Sequence, residues 1–219
     1  PIPAIRIGAA IHTPTYYSLD AYARNGVYSE FVELPFEGAS SGNDLKYGMD
    51  AITDYTYKLK TPWRVMGSIA TVLGQRAIIS ADYEYVDYTS AKFTNNGSGN
   101  EYLATNEAIK TIYKGTHNFR AGAEYRFSSI FCLRGGYSYS ASPYTKGEMN
   151  EKNNIQTITG GVGLNFGVFY ADLAYLHKNS KINGLFYYYK TPDSKIIESP
   201  EYQTKFKNNE FRLTLGIRF

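Results

Sequence analysis

The clearest alternation in this chain is the stretch Asn209-Glu-Phe-Arg-Leu-Thr-Leu-Gly-Ile-Arg-Phe219. Its apolar residues, from Phe211 to Phe219, fall on odd positions, and its charged residues fall on even positions. Because successive side chains of a β-strand point to opposite faces, the stretch predicts a strand with one apolar and one charged face. Such a strand fits a water-soluble β-sandwich, and it also fits the wall of a transmembrane barrel, which turns its apolar side chains to lipid.

The same period of two recurs along the chain and divides it into eight predicted strands. These strands are predicted at residues 4–13, 52–73, 76–92, 109–127, 130–141, 154–165, 168–178 and 209–219. Short turns follow the second, fourth and sixth strands, and long polar segments follow the others. Outer-membrane barrels have this parity, with short periplasmic turns and long extracellular loops. It predicts an all-β, antiparallel up-and-down transmembrane β-barrel with its C-terminus at the periplasmic side.

Two of the long segments have a composition of their own. Residues 19–50 are rich in Gly, Ser and Asp and are predicted to be a loop. Residues 179–208 contain the aromatic run 185–189, which predicts either an extension of a strand or a small hairpin.

The overall composition narrows the class of protein. The chain has 22 Tyr, 12 Phe and one Trp, which suits the aromatic belts of a membrane barrel, although aromatic residues also favour ordinary strands. No run approaches eighteen consecutive apolar residues, which excludes a transmembrane helix. The net charge of +3 comes without any basic run, so no nucleic-acid partner is expected. The single cysteine, Cys132, excludes an internal disulfide.

Five segments carry a resemblance to a known family. They are Arg6-Ile-Gly-Ala-Ala-Ile-His-Thr-Pro14, Thr61-Pro-Trp-Arg-Val65, Ser80-Ala-Asp-Tyr-Glu-Tyr-Val-Asp-Tyr88, His117-Asn-Phe-Arg-Ala-Gly-Ala-Glu-Tyr-Arg126 and Leu133-Arg-Gly-Gly-Tyr137. In order and spacing they resemble the C-terminal part of the FadL family of outer-membrane transport proteins for hydrophobic compounds. The segments cover most of the predicted strands.

The resemblance implies a location, a function and a larger barrel. A FadL-like protein is expected in the outer membrane of a Gram-negative bacterium, as a barrel of fourteen strands with an N-terminal hatch. It would admit hydrophobic or amphipathic small molecules, such as long-chain fatty acids, by passive lipid transport. Residues 1–219 would then be a single β-barrel domain without the hatch and the first strands. We expect either a missing N-terminal part of the same barrel to supply them, or the eight strands to close on themselves.

The most concentrated set of charged residues on the predicted strands lies on the face opposite the apolar one, which makes these residues candidate lumen-lining residues. They are Arg64, Asp82, Glu84, Arg120, Glu124, Arg126, Arg134, Asp172, Glu210, Arg212 and Arg218. One interpretation is that they line a conduit and steer anionic head groups, for which the arginine fork is well shaped. The other is that they satisfy one another in a crowded wall.

Aromatic residues in the long loops are the candidate ligand-binding residues. They are Tyr16, Tyr17, Phe31, Phe36, Phe186 and Tyr188. Apolar side chains in an exposed segment often mark a ligand or partner site, but loops that pack on one another would contain the same residues.

Catalytic and metal chemistry lack a sequence signal. The three histidines, His12, His117 and His177, have no ligand spacing with Cys132 or with a carboxylate pair, so no metal and no cofactor is expected. The chain has no Gly-x-Ser-x-Gly elbow, and the prediction is a non-enzyme. Two other functions stay open: a structural or adhesive barrel that binds a partner through its extracellular loops, and a barrel enzyme acting on lipids with a catalytic group at its rim.

Overall fold

The computed structural model describes residues 5–30, 46–74, 76–95 and 101–218, and most of its strands belong to one antiparallel sheet. In spatial order the sheet contains β1 (Ile5–His12), β4 (Trp63–Leu73), β5 (Ala77–Asp87), β7 (Gly115–Arg126), β8 (Phe131–Ser140), β9 (Ile155–Asn165), β10 (Phe169–Leu185) and β13 (Glu201–Ile217). Every neighbouring pair is antiparallel, and the spatial order follows the chain order. The predicted all-β, antiparallel, up-and-down arrangement of eight strands is confirmed.

Smaller elements lie in the long connections. A second sheet contains β2 (Tyr16–Glu30), β3 (Lys46–Lys60) and β6 (Lys92–Thr94), and a short hairpin contains β11 (Tyr188–Lys190) and β12 (Ile196–Glu198). A 3-10 turn spans Tyr88–Ser90, and one α-helix, α1, spans Leu103–Ile112. No helix in the described ranges has the length and apolar character needed to cross a membrane.

The predicted strand 52–73 is in fact two strands in different sheets. It breaks at Pro62, which has no backbone N–H to donate to a ladder, and Pro14 lies in the opposite arm of the same hairpin. Backbone N–H groups of the neighbouring threonines hold the two arms together there. The Thr61 amide donates to the Thr15 carbonyl at 2.9 Å, and the Thr15 amide donates to Thr61 Oγ1 at 2.8 Å.

The prediction of a loop over residues 19–50 was wrong for the part that the structure describes. Residues 19–30 belong to β2 and residues 46–50 to β3, and the two strands pair along their whole length. Tyrosine recurs along both strands and favours extended backbone, whereas the Gly, Ser and Asp residues that suggested a loop concentrate at 37–44. Residues 31–45 lie outside the described residues.

Other boundaries also differ from the prediction. The predicted strand 76–92 ends at Asp87, where the 3-10 turn follows. The predicted strand 109–127 begins only at Gly115, because residues 109–112 end α1, which also occupies part of the long polar segment after the predicted strand 76–92. Good helix formers such as Leu103 and Ala104 explain the helix, which buries Ile109. In the segment 179–208 both predicted outcomes occur, since β10 and β13 extend into it and β11 and β12 form a hairpin.

The parity of the connections is confirmed. The short turns after β4, β7 and β9 lie at one end of the sheet, hereafter the short-turn end, where β13 also ends. At the turn between β9 and β10, Gly167 has φ of +83°, a conformation that side-chain-bearing residues rarely adopt. The long connections, including the second sheet, α1 and the β11–β12 hairpin, all leave the opposite end, hereafter the long-loop end.

The two faces of the main sheet have different chemistry. The register aligns apolar residues of all eight strands on one face, hereafter the apolar face; Ile7, Ile69, Ala81 and Ala121 form one such row. This face is uncovered, with Leu215 72% exposed, and Val86 and Ile109 are the only buried hydrophobic residues among those the structure describes. A β-sandwich would bury these side chains under a second layer. The described residues supply no such layer, which argues against the sandwich.

The opposite, polar face is the crowded one. A Cβ added to Gly8 would lie 2.5 Å from Ser68 Oγ, and one added to Gly136 would lie 2.7 Å from Thr159 Oγ1. On the apolar face, a Cβ at Gly67 or Gly160 would meet nothing within 4 Å. At these four positions the polar face is crowded and the apolar face is open, as on the concave and convex sides of a curved sheet. Gly115, at the long-loop end of the apolar face, differs, because a Cβ there would meet the Tyr85 hydroxyl.

Candidate functional site

A row of four charged residues crosses the polar face near the short-turn end, hereafter the charged row: Arg126, Glu124, Arg134 and Asp172. Glu124 Oε1 accepts from Arg126 Nε at 2.8 Å, and Glu124 Oε2 accepts from Arg134 Nε at 2.8 Å. Arg134 Nη1 donates to Asp172 Oδ1. Glu124 faces Arg134 directly across β7 and β8, so the sheet register creates this pair. The row links three strands through alternating charges.

Gly163 on β9 leaves the space in which Arg134 and Asp172 form the last ion pair of the charged row. Asp172 belongs to β10 and Arg134 to β8, so their side chains meet over the intervening strand β9. A Cβ at Gly163 would lie 2.7 Å from Asp172 Oδ1 and 2.6 Å from Cys132 Sγ. Any larger residue would therefore require Cys132 and Asp172 to shift from these positions.

The charged row borders a cleft of about 360 Å³ that opens at the short-turn end. Tyr170, Arg218 and the turn residues 128–131 also line it. The Arg218 guanidinium lies 5.4 Å from the centroid of the Tyr170 ring, within the range of a cation–π interaction. Among the described residues Arg218 has no carboxylate within 4.0 Å, so it carries positive charge to the cleft that is not neutralised by an ion pair.

Farther from the short-turn end, the polar face has a second set of charges. Arg64 lies 3.9 Å from Glu84, whose Oε1 accepts from Asn118 Nδ2 at 3.0 Å. Asp82 and Arg120 face each other across β5 and β7 and border a groove of about 310 Å³ whose other lining residues are mainly Ser, Thr and Gly. Polar residues thus line the polar face from one end of the sheet to the other.

The structure places all eleven candidate lumen residues on the polar face. Seven of them lie in the contacts above: the four of the charged row, Arg64, Glu84 and Arg218. Asp82 and Arg120 face each other without an ion pair within 4.0 Å in the described residues. Glu210 and Arg212 pair with each other along β13. Tyr170, Asn118 and Gly163 were not predicted as parts of these clusters, because their roles depend on which strands are neighbours.

The candidate ligand-binding aromatics belong to separate parts of the long-loop end. Tyr16 and Tyr17 begin β2 in the second sheet, Phe186 directly follows β10, and Tyr188 lies in β11. All four are exposed, and the Phe186 ring packs against Tyr202 at a tilt, with ring centroids 4.6 Å apart. Phe31 and Phe36 lie outside the described residues.

The positions of the potential metal-binding and catalytic side chains bear on the type of site. In the part of the chain that the structure describes, no three His, Cys, Asp or Glu side chains come together as metal ligands would. Of the histidines, His117 Nδ1 lies 2.6 Å from Tyr83 Oη and His177 Nδ1 lies 2.7 Å from Asn209 Oδ1, both on the apolar face.

The arrangement on the polar face can orient water and ionic groups, and it offers positive charge at the short-turn end.

Comparison with known proteins shows a similarity of fold. The chain is similar to a solved structure described as a Pseudomonas aeruginosa FadL homologue, with 12% sequence identity and a TM-score of 0.62 over 99% of this chain. The match covers 50% of the solved chain, so this chain spans about half the length of that protein. At this identity the likeness shows a FadL-like fold and no more. No family model and no curated protein matches the chain.

Proposed function

We propose that this chain forms part of the wall of a bacterial outer-membrane channel, through which hydrophobic or amphipathic small molecules such as long-chain fatty acids diffuse passively. The observation that carries the proposal is the contrast between the two faces of the sheet. Among the described residues nothing covers the apolar face, and the polar face has a charged row, a groove and a cleft. Lipid on one side and water on the other is the environment that suits both faces.

The remaining features of the proposal follow from parity and likeness. The short-turn end, and with it the C-terminus, faces the periplasm, and the long-loop end faces the outside. Residues 1–219 act as one domain, and since β1 and β13 do not pair with each other in the described sheet, further strands of the same barrel complete the wall. Membrane lipid is the partner of the apolar face. The protein is not an enzyme in this proposal.

The test is uptake by liposomes that contain the full-length protein. Two matched variants, Gly122→Trp and Gly135→Trp, place the same ring on neighbouring strands, on the polar and the apolar face respectively. We expect faster entry of a fluorescent long-chain fatty acid than into protein-free liposomes, slower entry with Gly122→Trp, and no change with Gly135→Trp. Heat-dependent mobility on gels checks that each variant is folded. Uptake equal to that of protein-free liposomes contradicts the proposal.

A structural or adhesive barrel is the second candidate, and the exposed aromatic residues at the long-loop end favour it. Replacing residues 186–199 by a short turn removes the β11–β12 hairpin without touching the polar face of the main sheet. If the protein is an adhesive barrel, adhesion to a surface partner should then be lost. If it is a channel, fatty-acid uptake should be unchanged. Loss of adhesion in a protein that never supported uptake would favour the adhesive function instead.

A further inference from the structure

A cluster of lysines lines a cleft near the long-loop end of β9, β10 and β13. The cleft has a volume of about 320 Å³, and its lining includes Lys152, Lys181, Lys205 and Lys207 together with Asn154 and Asn179. We call it the lysine cleft. No Asp or Glu lines it.

The register opposes like charges in the lysine cleft. Lys181 lies directly opposite Lys205. On the same face and two residues along each strand, Lys207 lies opposite Asn179. Like charges directly opposed across two strands destabilise a sheet. Within the described residues, none of the four lysines has a carboxylate within 4.0 Å. The protein itself therefore leaves the repulsion uncompensated, which an external anion would relieve.

The lysine cleft lies on the apolar face, beyond its aromatic edge. The odd positions of β10 and β13 carry leucines, then the tilted ring pair Tyr175 and Phe211 with centroids 4.9 Å apart, then the lysines. Between them, Asn209 Oδ1 accepts from Tyr175 Oη at 2.8 Å. Lys207 is four residues beyond Phe211, or roughly 13 Å along the strand. Tyrosine at the membrane interface would place the lysines at the level of lipid head groups.

We infer that the lysine cleft binds phosphate groups of lipopolysaccharide in the outer leaflet of the membrane. Lysine side chains reaching toward a membrane surface attract anionic lipid groups, and amide N–H groups can donate to the remaining phosphate oxygens. The inference rests on the membrane location in the proposed function, and it is independent of what passes along the polar face. A phosphate between Lys181 and Lys205 would replace their repulsion by two favourable contacts.

The experiment titrates the full-length protein in detergent micelles with lipopolysaccharide and measures binding by thermophoresis. The test variant carries Lys181→Gln, Lys205→Gln and Lys207→Gln. The control variant carries Lys178→Gln, Lys190→Gln and Lys195→Gln, which removes the same charge at the same end but outside the lysine cleft. Heat-dependent gel mobility checks folding. Two further measurements complete the experiment. One titrates the same lipopolysaccharide after its phosphates have been removed, and the other adds inorganic phosphate as a competitor of intact lipopolysaccharide.

We expect the test variant to bind lipopolysaccharide at least about tenfold more weakly than the unchanged protein, and the control variant to bind normally. Lipopolysaccharide without its phosphates should bind the unchanged protein as weakly as intact lipopolysaccharide binds the test variant. Inorganic phosphate should not compete when its concentration equals that of lipopolysaccharide. Equal binding by the test variant, an equal loss in both variants, or full binding of lipopolysaccharide without its phosphates overturns the inference. Competition by inorganic phosphate at equal concentration overturns it as well, since it would indicate a site for small anions.

Transport is tested separately, in vesicles without lipopolysaccharide. Loss of uptake with lipopolysaccharide binding intact contradicts the proposed function alone. Uptake that persists when the test variant still binds lipopolysaccharide normally contradicts this inference alone.

Discussion

Single residues on the polar face hold positions that their neighbours constrain closely. Gly163 is the clearest example, because the space for its missing side chain is occupied by Asp172 and Cys132. The charged row depends on that space, since Arg134 reaches Asp172 across Gly163. An interaction between charges on two strands thus depends on the absence of a side chain on a third.

Gly163→Ala should destabilise the folded protein by about 1–3 kcal/mol, because the new methyl group forces Asp172 away from Arg134. Gly160→Ala, three residues earlier on the same strand, is the control: its Cβ enters open space on the apolar face and should change stability by less than about 0.5 kcal/mol. Urea unfolding in lipid vesicles, followed by the fluorescence of the single tryptophan, measures both. Equal effects of the two variants would contradict this account of the charged row.

The charged row also predicts a measurable coupling between Glu124 and Arg134. A double-mutant cycle with Glu124→Gln and Arg134→Gln should give a coupling free energy of about 0.5–1 kcal/mol. The value is modest because the Arg134 side chain is 46% exposed and water screens the pair. The same cycle on Glu84 and Arg64, whose charges are 3.9 Å apart, should give a smaller coupling. A larger coupling for the longer pair would argue against the geometry described.

At the scale of elements, each strand of the main sheet separates two environments. Leu213 and Thr214 are neighbours on β13, yet Leu213 faces Leu173 on the apolar face and Thr214 faces Asp172 on the polar face. An arginine should therefore be costly at one position and tolerated at the next.

Leu213→Arg should lower the stability in lipid vesicles by about 2–4 kcal/mol, the cost of a cationic side chain near the middle of a bilayer. Thr214→Arg should cost less than about 1 kcal/mol, because it faces Asp172 and the water of the polar face. Urea titration of refolded protein measures the difference. Similar losses for both variants would mean that β13 does not separate lipid from water.

The strands and the sides of the sheet could be predicted from the sequence, because a period of two needs only local order, as residues 209–217 show. Contacts across strands could not. Arg134 and Asp172 are 38 residues apart, and their meeting depends on register, which the turn at Gly167 helps to fix. The break at Pro62 was underestimated because alternation continues through it, and α1 was missed because isoleucine fits a strand as well as a helix.

At the scale of the whole molecule, the proposed function uses the alternation of short and long connections to place the short-turn end at the periplasm and the long-loop end outside. The turn 127–130 and the β11–β12 hairpin belong to opposite ends. Their accessibility in intact cells tests the proposed orientation without any knowledge of the ligand.

Ser194→Cys and Ser129→Cys, each combined with Cys132→Ser, place one thiol in the β11–β12 hairpin or in the short turn after β7. A membrane-impermeant maleimide added to intact cells should label the first variant and leave the second unlabelled until the outer membrane is opened. Labelling of the cysteine at position 129 in intact cells would reverse the proposed orientation.

The central claim is that lipid covers the apolar face and water the polar face, and a spin-label scan of residues 210–217 in lipid vesicles tests it most directly. Single cysteines in a Cys132→Ser background carry the label, and collision rates with oxygen and with a water-soluble nickel chelate are measured at each position. The account predicts oxygen maxima at odd positions such as Leu213 and Leu215, and chelate maxima at even positions such as Arg212 and Thr214. Chelate access at the odd positions, or no alternation at all, would contradict it.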